Sequence, residues 1–422
     1  MPQVTSQPPT NREDFEVAII CALPLEYDAV CLLFDEFWDE EGDRYGRALG
    51  DMNQYTTGRI GKHNIVLALL SHMGVAEAAG AAASLRSSYS RVRLALLVGV
   101  CGGVPFVGDT EILLGDVVIS DRLVRYRYGR QYPDIFQRKN TIQDGSSKPN
   151  KDISGLLALF NTARGARMLQ ERTAHFLKVL QVNAMMAQPH GEYQHPGILA
   201  DRLFKPDYRH KHGIPPSSNC YFCWNGLGLA CEKALNSSCE ELGCDLAQLV
   251  PRKRFMQTRW SQIRHTEVPP SPIIHVGSVA SGDVVMKSGE DRDEIGGEEG
   301  IIAFEMEGAG MWEEIPSIII KGVCNYADCH KNKIWQNFAD ATAAAASKAV
   351  LERYIETDYG RIPPSPPAPL DDYINAPEEL PDKWAEAEEE KKQCGNGRTD
   401  GSDHFKNKLQ LFEDRRGALS ND

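Results

Sequence analysis

Four side chains of suggestive type sit where apolar runs give way to small or polar residues. Glu26 lies in CALPLEYDAV (Cys21–Val30), Glu305 and Glu307 flank Met306 in IIAFEMEGAGM (Ile301–Met311), and Asn325 ends the apolar run IIIKGVCN. A carboxylate at a buried strand end is costly unless paired or hydrogen-bonded, and accepting two hydroxyls of a sugar would satisfy it. Each position has a plainer reading as well. Glu26 suits a first-turn carboxylate facing a helix dipole, Glu305 and Glu307 a structural ion pair, and Asn325 an Asx turn. Residues two apart on a strand share a face, so Glu305 and Glu307 are expected side by side.

These segments need a scaffold that gathers them. EVAIICAL (Glu16–Leu23), NIVLALL (Asn64–Leu70) and LALLVGV (Leu94–Val100) suit strands buried on both faces, with the Ala-rich stretch Gly74–Tyr89 reading as a helix between the last two. DVVIS (Asp116–Ser120), Pro272–Ser281, Ile301–Glu307 and Ser317–Cys324 continue the strand series, and Asn337–Ile355 is the final strong helix. The alternation predicts an α/β fold with a mostly parallel sheet, where ligands bind at the C-terminal strand edges. In LLVGVCGGVP (Leu96–Pro105), glycines after a strand let a ligand approach the backbone at Cys101 and Gly102, though a tight turn needs the same glycines. The run lacks the third glycine of a dinucleotide fingerprint, and no P-loop lysine follows.

The 422 residues carry 46 Lys+Arg against 59 Asp+Glu, a net charge of −13, which argues against a nucleic-acid backbone or an anionic membrane as the main partner. The first residues lack secretory features and no run approaches the ~20 apolar residues of a membrane span, so a cytoplasmic setting is expected. Residues 1–15 are expected to be flexible and residues 16–356 to form one catalytic domain. A polar insertion is expected over about 131–270, interrupted by helices near Ile153–Thr162 and Leu169–Val182. The Pro-rich and charge-block composition of residues 357–422 predicts a disordered tail.

With these segments in order, ALPLE, VGVCGG, GDVVIS, VASGDVVMKSG, FEMEGAG and GVCNYADCHKNK, the chain resembles the nucleoside phosphorylase / methylthioadenosine–adenosylhomocysteine nucleosidase superfamily, most of all its fungal nucleosidase-like branch. The resemblance covers about Glu16–Tyr354 apart from the insertion. It implies a three-layer α/β sandwich around a mostly parallel twisted sheet, and cleavage of the N-glycosidic bond of purine ribonucleosides without cofactor or metal. It also implies that Glu26 activates water and that Glu307 grips the ribose hydroxyls, with Met306 packed on the sugar and Glu305 and Phe304 beside it. Val285 and Met286 would read the base edge, Cys101 and Gly102 would wall the base pocket, and Asn325 would face the purine imidazole nitrogen. Glycosidic departure creates an oxocarbenium-like ribosyl cation and an anionic base, so carboxylates at one end and a donor at the other are the groups required. The family forms dimers, trimers or hexamers, which implies a homo-oligomer. The domain also fronts fungal multidomain immune-type proteins, so a nucleoside- or nucleotide-binding sensor is the alternative from another class; the polar tail favours a stand-alone enzyme.

Two departures from the family pattern carry weight. Nucleosidases place Asp where this chain has Asn325; an amide can donate a hydrogen bond but cannot deliver a carboxylic proton, which suggests a 6-oxopurine preference or a slowed enzyme. The phosphate-binding basic and hydroxyl side chains of the phosphorylases are replaced by Leu97, Val100 and CALPLEYDA, so water rather than phosphate is the expected nucleophile, with phosphorolysis to ribose 1-phosphate as the alternative.

Five of the eleven cysteines fall between Cys220 and Cys244, with His210 and His212 upstream. One Cys-x2-Cys pair is present where a zinc knuckle has two, so free thiols are expected over structural zinc. Cys21, Cys31, Cys101 and Cys324 read as reduced core thiols. Arg125–Pro133, Asp207–His212 and Pro251–Phe255 are basic clusters of the kind that form solvated loops; if one lines the mouth of a pocket, Arg130 is the residue placed to grip a substrate phosphate.

Overall fold

A computed structural model describes residues 7–139, 148–187, 193–213, 220–224, 229–255 and 271–355; the tail expected over 357–422 lies outside the described residues. The sheet consists of β1 (Val17–Cys21), β2 (Glu36–Phe37), β3 (Tyr55–Ile60), β4 (His63–Leu69), β5 (Leu94–Gly103), β8 (Val117–Arg125), β11 (Ile274–Ser281), β12 (Ile301–Glu305) and β13 (Ser317–Asn325). Two small hairpins, β6 (Phe106–Val107) with β7 (Thr110–Glu111) and β9 (Gly129–Gln131) with β10 (Phe136–Arg138), complete the strands among the described residues. The helices are α1 (Pro24–Cys31), α2 (Val75–Ser88), α3 (Lys151–Phe160), α4 (Ala163–Met186), α5 (Tyr221–Trp224), α6 (Glu232–Asn236), α7 (Cys239–Leu242), α8 (Gly289–Glu299), α9 (Gly308–Glu314) and α10 (Gln336–Leu351).

Strand order is β12-β11-β8-β13-β5-β1-β4-β3-β2, with the pairings of β1, β4, β5 and β13 in the middle parallel. β1 shows why a strand buried on both faces reads as a continuous apolar run. Val17, Ile19 and Cys21 join the core shared with α1, α4 and α10, while Ala18 and Ile20 join the core shared with α2 and α9. The result is the expected three-layer α/β arrangement. One half of the sheet closes on itself, because β12 also pairs antiparallel with the end of β5, Ala303 opposite Gly103 and Phe304 opposite Gly102. The glycines expected as a turn are thus the last residues of a strand. Their missing side chains make room for convergence: a Cβ on Gly103 would lie 2.6 Å from Val323 and one on Gly102 2.9 Å from Ala327.

Three expectations need adjustment. Residues 7–15, expected to be flexible, end in the fully buried Phe15, packed edge-on against Tyr45 and Tyr89. The stretch 131–270 is not one insertion, since Leu169, Phe176, Leu177 and Leu180 of α4 belong to the main core and Arg172 makes a bidentate pair with Glu352. Nor is Pro251–Phe255 wholly solvated: Pro251 and Lys253 are exposed, but Arg252 is buried with its guanidinium over Phe106 and Tyr326, and Arg254 grips Asp116. Among the described residues no helix is long and apolar enough to cross a membrane.

Candidate active site

β1, β5, β12 and β13 end around one cavity of about 230 Å³. Glu26, Cys101, Gly102, Val285, Met286, Phe304, Glu305, Met306, Glu307 and Asn325 all line it. Arg130 does not: it is exposed on the β9–β10 hairpin, outside the lining, so the side chain expected to grip a phosphate is not at this cavity.

Glu26 is 2% exposed and serves two ends. Its Oε2 accepts hydrogen bonds from the backbone N–H groups of Ala22 (2.8 Å) and Leu23 (3.0 Å), closing the first turn of α1, and its Oε1 accepts from Val100 (2.8 Å) across the sheet. The helix-start reading therefore applies to it. A carboxylate has about four lone-pair sites, so these bonds fix its plane and leave one direction for a further partner. Burial raises its pKa above the ordinary carboxylate value, opposed by Lys321 and the Val100 N–H. Gly99 makes this placement possible, because a Cβ there would sit 2.0 Å from Glu26 Oε1. Gly99→Ala is accordingly expected to leave the circular-dichroism spectrum intact while displacing the carboxylate, with turnover falling by about 10²-fold.

Lys321 is the residue the sequence reading passed over. It is 1% exposed in the middle of β13, with Nζ 3.4 Å from Glu307 Oε2 and 4.0 Å from Glu26 Oε1. Burial alone would lower its pKa, but Glu26, Glu307 and Glu305 more than reverse that and keep it charged. One buried cation thus compensates the carboxylates that line the cavity. In sequence it is a lysine inside an apolar strand, and only the register that places β13 beside β5 gives it meaning.

Glu305 and Glu307 do not share a face as expected, because β12 ends at Glu305 and Glu307 precedes helix α9 with φ −118° and ψ −32°. Glu305 turns to accept from the backbone N–H groups of Glu307 (3.0 Å) and Gly308 (2.9 Å), anchoring the start of α9. Burial first, then the neighbouring Glu307, pushes its pKa up to about 7. Glu307 is 4% exposed and, among the described residues, its carboxylate bonds only to Lys321, leaving Oε1 open to the cavity.

Asn325 forms the other wall. Its Oδ1 accepts from the Ala327 N–H at 2.9 Å, an Asx-type turn that holds Ala327 at φ 52°, while its Nδ2 lies 3.1 Å from Cys324 Sγ. With the oxygen occupied, the amide group remaining for a ligand is the donor. Val285 is 44% exposed at the rim, and the Tyr126 hydroxyl bonding to the Val284 carbonyl at 2.6 Å holds that segment over the cavity. Lys331, also in the lining, follows Asn325 on the same loop. Cys21, Cys101 and Cys324 are buried free thiols and Cys31 a partly buried one.

Residues 16–179 match the model of the Phosphorylase superfamily. A nucleotide-binding leucine-rich repeat (NLR)-like protein of Hyaloscypha variabilis is 28% identical over 351 residues, which is 82% of this chain and 30% of that protein, so the chain spans under a third of that relative's length. Similar solved structures include the 5′-methylthioadenosine/S-adenosylhomocysteine nucleosidase of Neisseria meningitidis in complex with methylthio-immucillin-A, at 16% identity, covering 80% of this chain and 98% of that one with a TM-score of 0.40. Futalosine hydrolase of Helicobacter pylori is similar at 15% identity, with 80% and 97% coverage and a TM-score of 0.40. The likeness to the phosphorylase superfamily is thus carried by residues 16–179.

Proposed function

We propose that the protein hydrolyses the N-glycosidic bond of purine ribonucleosides. Glu26 activates water, Glu307 holds the ribose hydroxyls, Met306 packs on the sugar, and Asn325 donates a hydrogen bond to the departing base. The observation that carries this reading is the placement of Glu26 and Glu307 on either side of Lys321, with Asn325 lining the same cavity. Water is favoured over phosphate because Glu26 is surrounded by backbone N–H groups it already uses, and the lining beside it, Ala22, Leu23 and Val100, offers no arginine.

Chromatography of adenosine, inosine, guanosine, uridine and their 5′-phosphates, with and without phosphate, tests the proposal. Free purine and ribose are expected in phosphate-free buffer. Strict dependence on phosphate, with ribose 1-phosphate as product, would make the protein a phosphorylase. Asn325→Asp restores a protonatable group and is expected to raise turnover of adenosine-type substrates by tenfold or more, given the ~10²–10⁴-fold that general acids contribute. Unchanged or lower adenosine turnover in that variant would reject the leaving-group role.

The likeness to an NLR-like protein favours a second reading, a nucleoside- or nucleotide-binding module. Saturable binding of a purine nucleoside with no base released over long incubation would establish that reading in place of hydrolysis.

A further inference from the structure

Cysteines and histidines of the irregular segment after α4, joined by His330 from the loop after β13, fall into two groups of four. His210, Cys239, Cys244 and His330 form one; His212, Cys220, Cys223 and Cys231 form the other; within each, one ligand atom per residue lies within 4.8 Å of all the rest. We infer that these are two structural zinc sites, a Cys2His2 site and a Cys3His site, nested in sequence so that the second closes inside the first.

The distances fit a tetrahedron. Zinc–sulfur bonds of about 2.3 Å and zinc–nitrogen bonds of about 2.0–2.1 Å give tetrahedral edges of ~3.3 Å for N···N and ~3.6 Å for N···S. In the first site the two histidine Nδ1 atoms are 3.2 Å apart. Cys239 Sγ is 3.7 and 3.6 Å from His210 and His330 Nδ1, and Cys244 Sγ is 3.5 and 3.8 Å from the same atoms. In the second, Cys223 Sγ and Cys231 Sγ each lie 3.5 Å from His212 Nδ1.

The outer contacts point the same way. His210 Nε2 meets the Ser237 carbonyl at 2.9 Å and His330 Nε2 meets the Tyr208 carbonyl at 3.0 Å, so in neutral rings both Nε2 atoms carry the proton. That leaves two Nδ1 lone pairs facing each other, an arrangement a shared cation makes favourable and the usual second contact of a metal-bound histidine. Phe204, stacked on His330 at 4.1 Å, holds the ring in that orientation. In the other site, backbone N–H groups of Cys231 and Ala234 point at Cys223 Sγ (3.3 Å) and Cys231 Sγ (3.4 Å), as they do at thiolates. Thiolate with imidazole is a donor set for zinc rather than for calcium or magnesium, and four protein ligands leave no open position, which makes the sites structural.

The need for metal follows from the local core, in which, among the described residues, only Cys223, Ala234 and Leu242 are buried. So little apolar burial does not hold an irregular segment, whereas zinc binding supplies folding free energy directly. The first site also has a consequence for the cavity. His330 follows Asn325 on one loop, and its backbone N–H bonds Asp328 at 2.9 Å, so this zinc would tie the irregular segment to the loop that presents Asn325 and Lys331.

Elemental analysis of the full chain, purified without chelator, tests the assignment independently of any catalytic activity. Two zinc ions per chain are expected, both released when an organomercurial titrates the thiols. Cys223→Ser and Cys239→Ser should each lower the content to one. Should these variants fail to fold, cobalt titration of chelator-stripped wild-type protein replaces them, with two equivalents expected to develop sulfur-to-cobalt charge-transfer absorption. Folded wild-type protein holding less than about 0.2 zinc per chain and giving no such band, or one carrying stoichiometric iron instead, would overturn the inference.

Discussion

Glu26→Gln is expected to lower kcat for base release by about 10²–10⁴-fold while a nucleoside still binds, because the variant keeps the cavity and loses the proton acceptor. The substitution also places an amide NH2 where a carboxylate oxygen now faces backbone N–H groups of Ala22, Leu23 or Val100. One of these donors loses its acceptor, so a destabilisation of about 1–3 kcal/mol accompanies the loss of activity. Calorimetric binding and chemical denaturation of the same preparation separate the two effects. The wild-type pH profile carries a matching signature. A general base must be deprotonated, and the pKa of Glu26 is raised from 4.5, chiefly by burial, so activity should fall on acidification along a limb centred above pH 4.5. Retention of wild-type turnover by Glu26→Gln would remove this residue from the chemistry.

Lys321→Met is expected to have the largest effect on stability, about 3–5 kcal/mol, because removing one member of a buried charge group strands the others. The loss should depend on pH. Without the ammonium, Glu26 is pushed further toward protonation, and Glu305, already up to about 7, goes with it. A carboxyl whose folded pKa is raised contributes stability below its unfolded pKa that is lost as pH rises through the folded one. The variant should therefore be nearly normal near pH 4.5 and progressively weaker from there through pH 7 and above, as read by urea unfolding at both ends. An equal deficit at both ends would mean that Lys321 acts through packing rather than charge.

What could be read from the sequence follows from what each segment had to satisfy locally. β1, β4, β5 and β13 are apolar on both faces, and that burial shows in the residues themselves. β3, YTTGRI, pairs antiparallel with β4 near the sheet edge and is only partly buried, so it gave no comparable signal. Glu26, Glu307 and Asn325 stood out because polar groups at or just beyond the ends of apolar strands are unusual. Lys321 did not, since its partners are 295 and 14 residues away and only strand register joins them. The shared face expected for Glu305 and Glu307 failed because the strand stops between them, where Glu305 bonds the backbone of the next turn. His330 was not grouped with the cysteine cluster for a similar reason: it reaches His210 from 120 residues away.

In the proposed reaction, water held by Glu26 beside a ribose bound by Glu307 becomes part of the product. Incubating the protein with inosine or adenosine in phosphate-free, oxygen-18-enriched water and weighing the released sugar by mass spectrometry follows that oxygen. One labelled oxygen in free ribose, with free purine in equal amount and none of either from Glu26→Gln, is the predicted result. Unlabelled sugar phosphate formed only on adding phosphate, or no purine released under any condition, would contradict it.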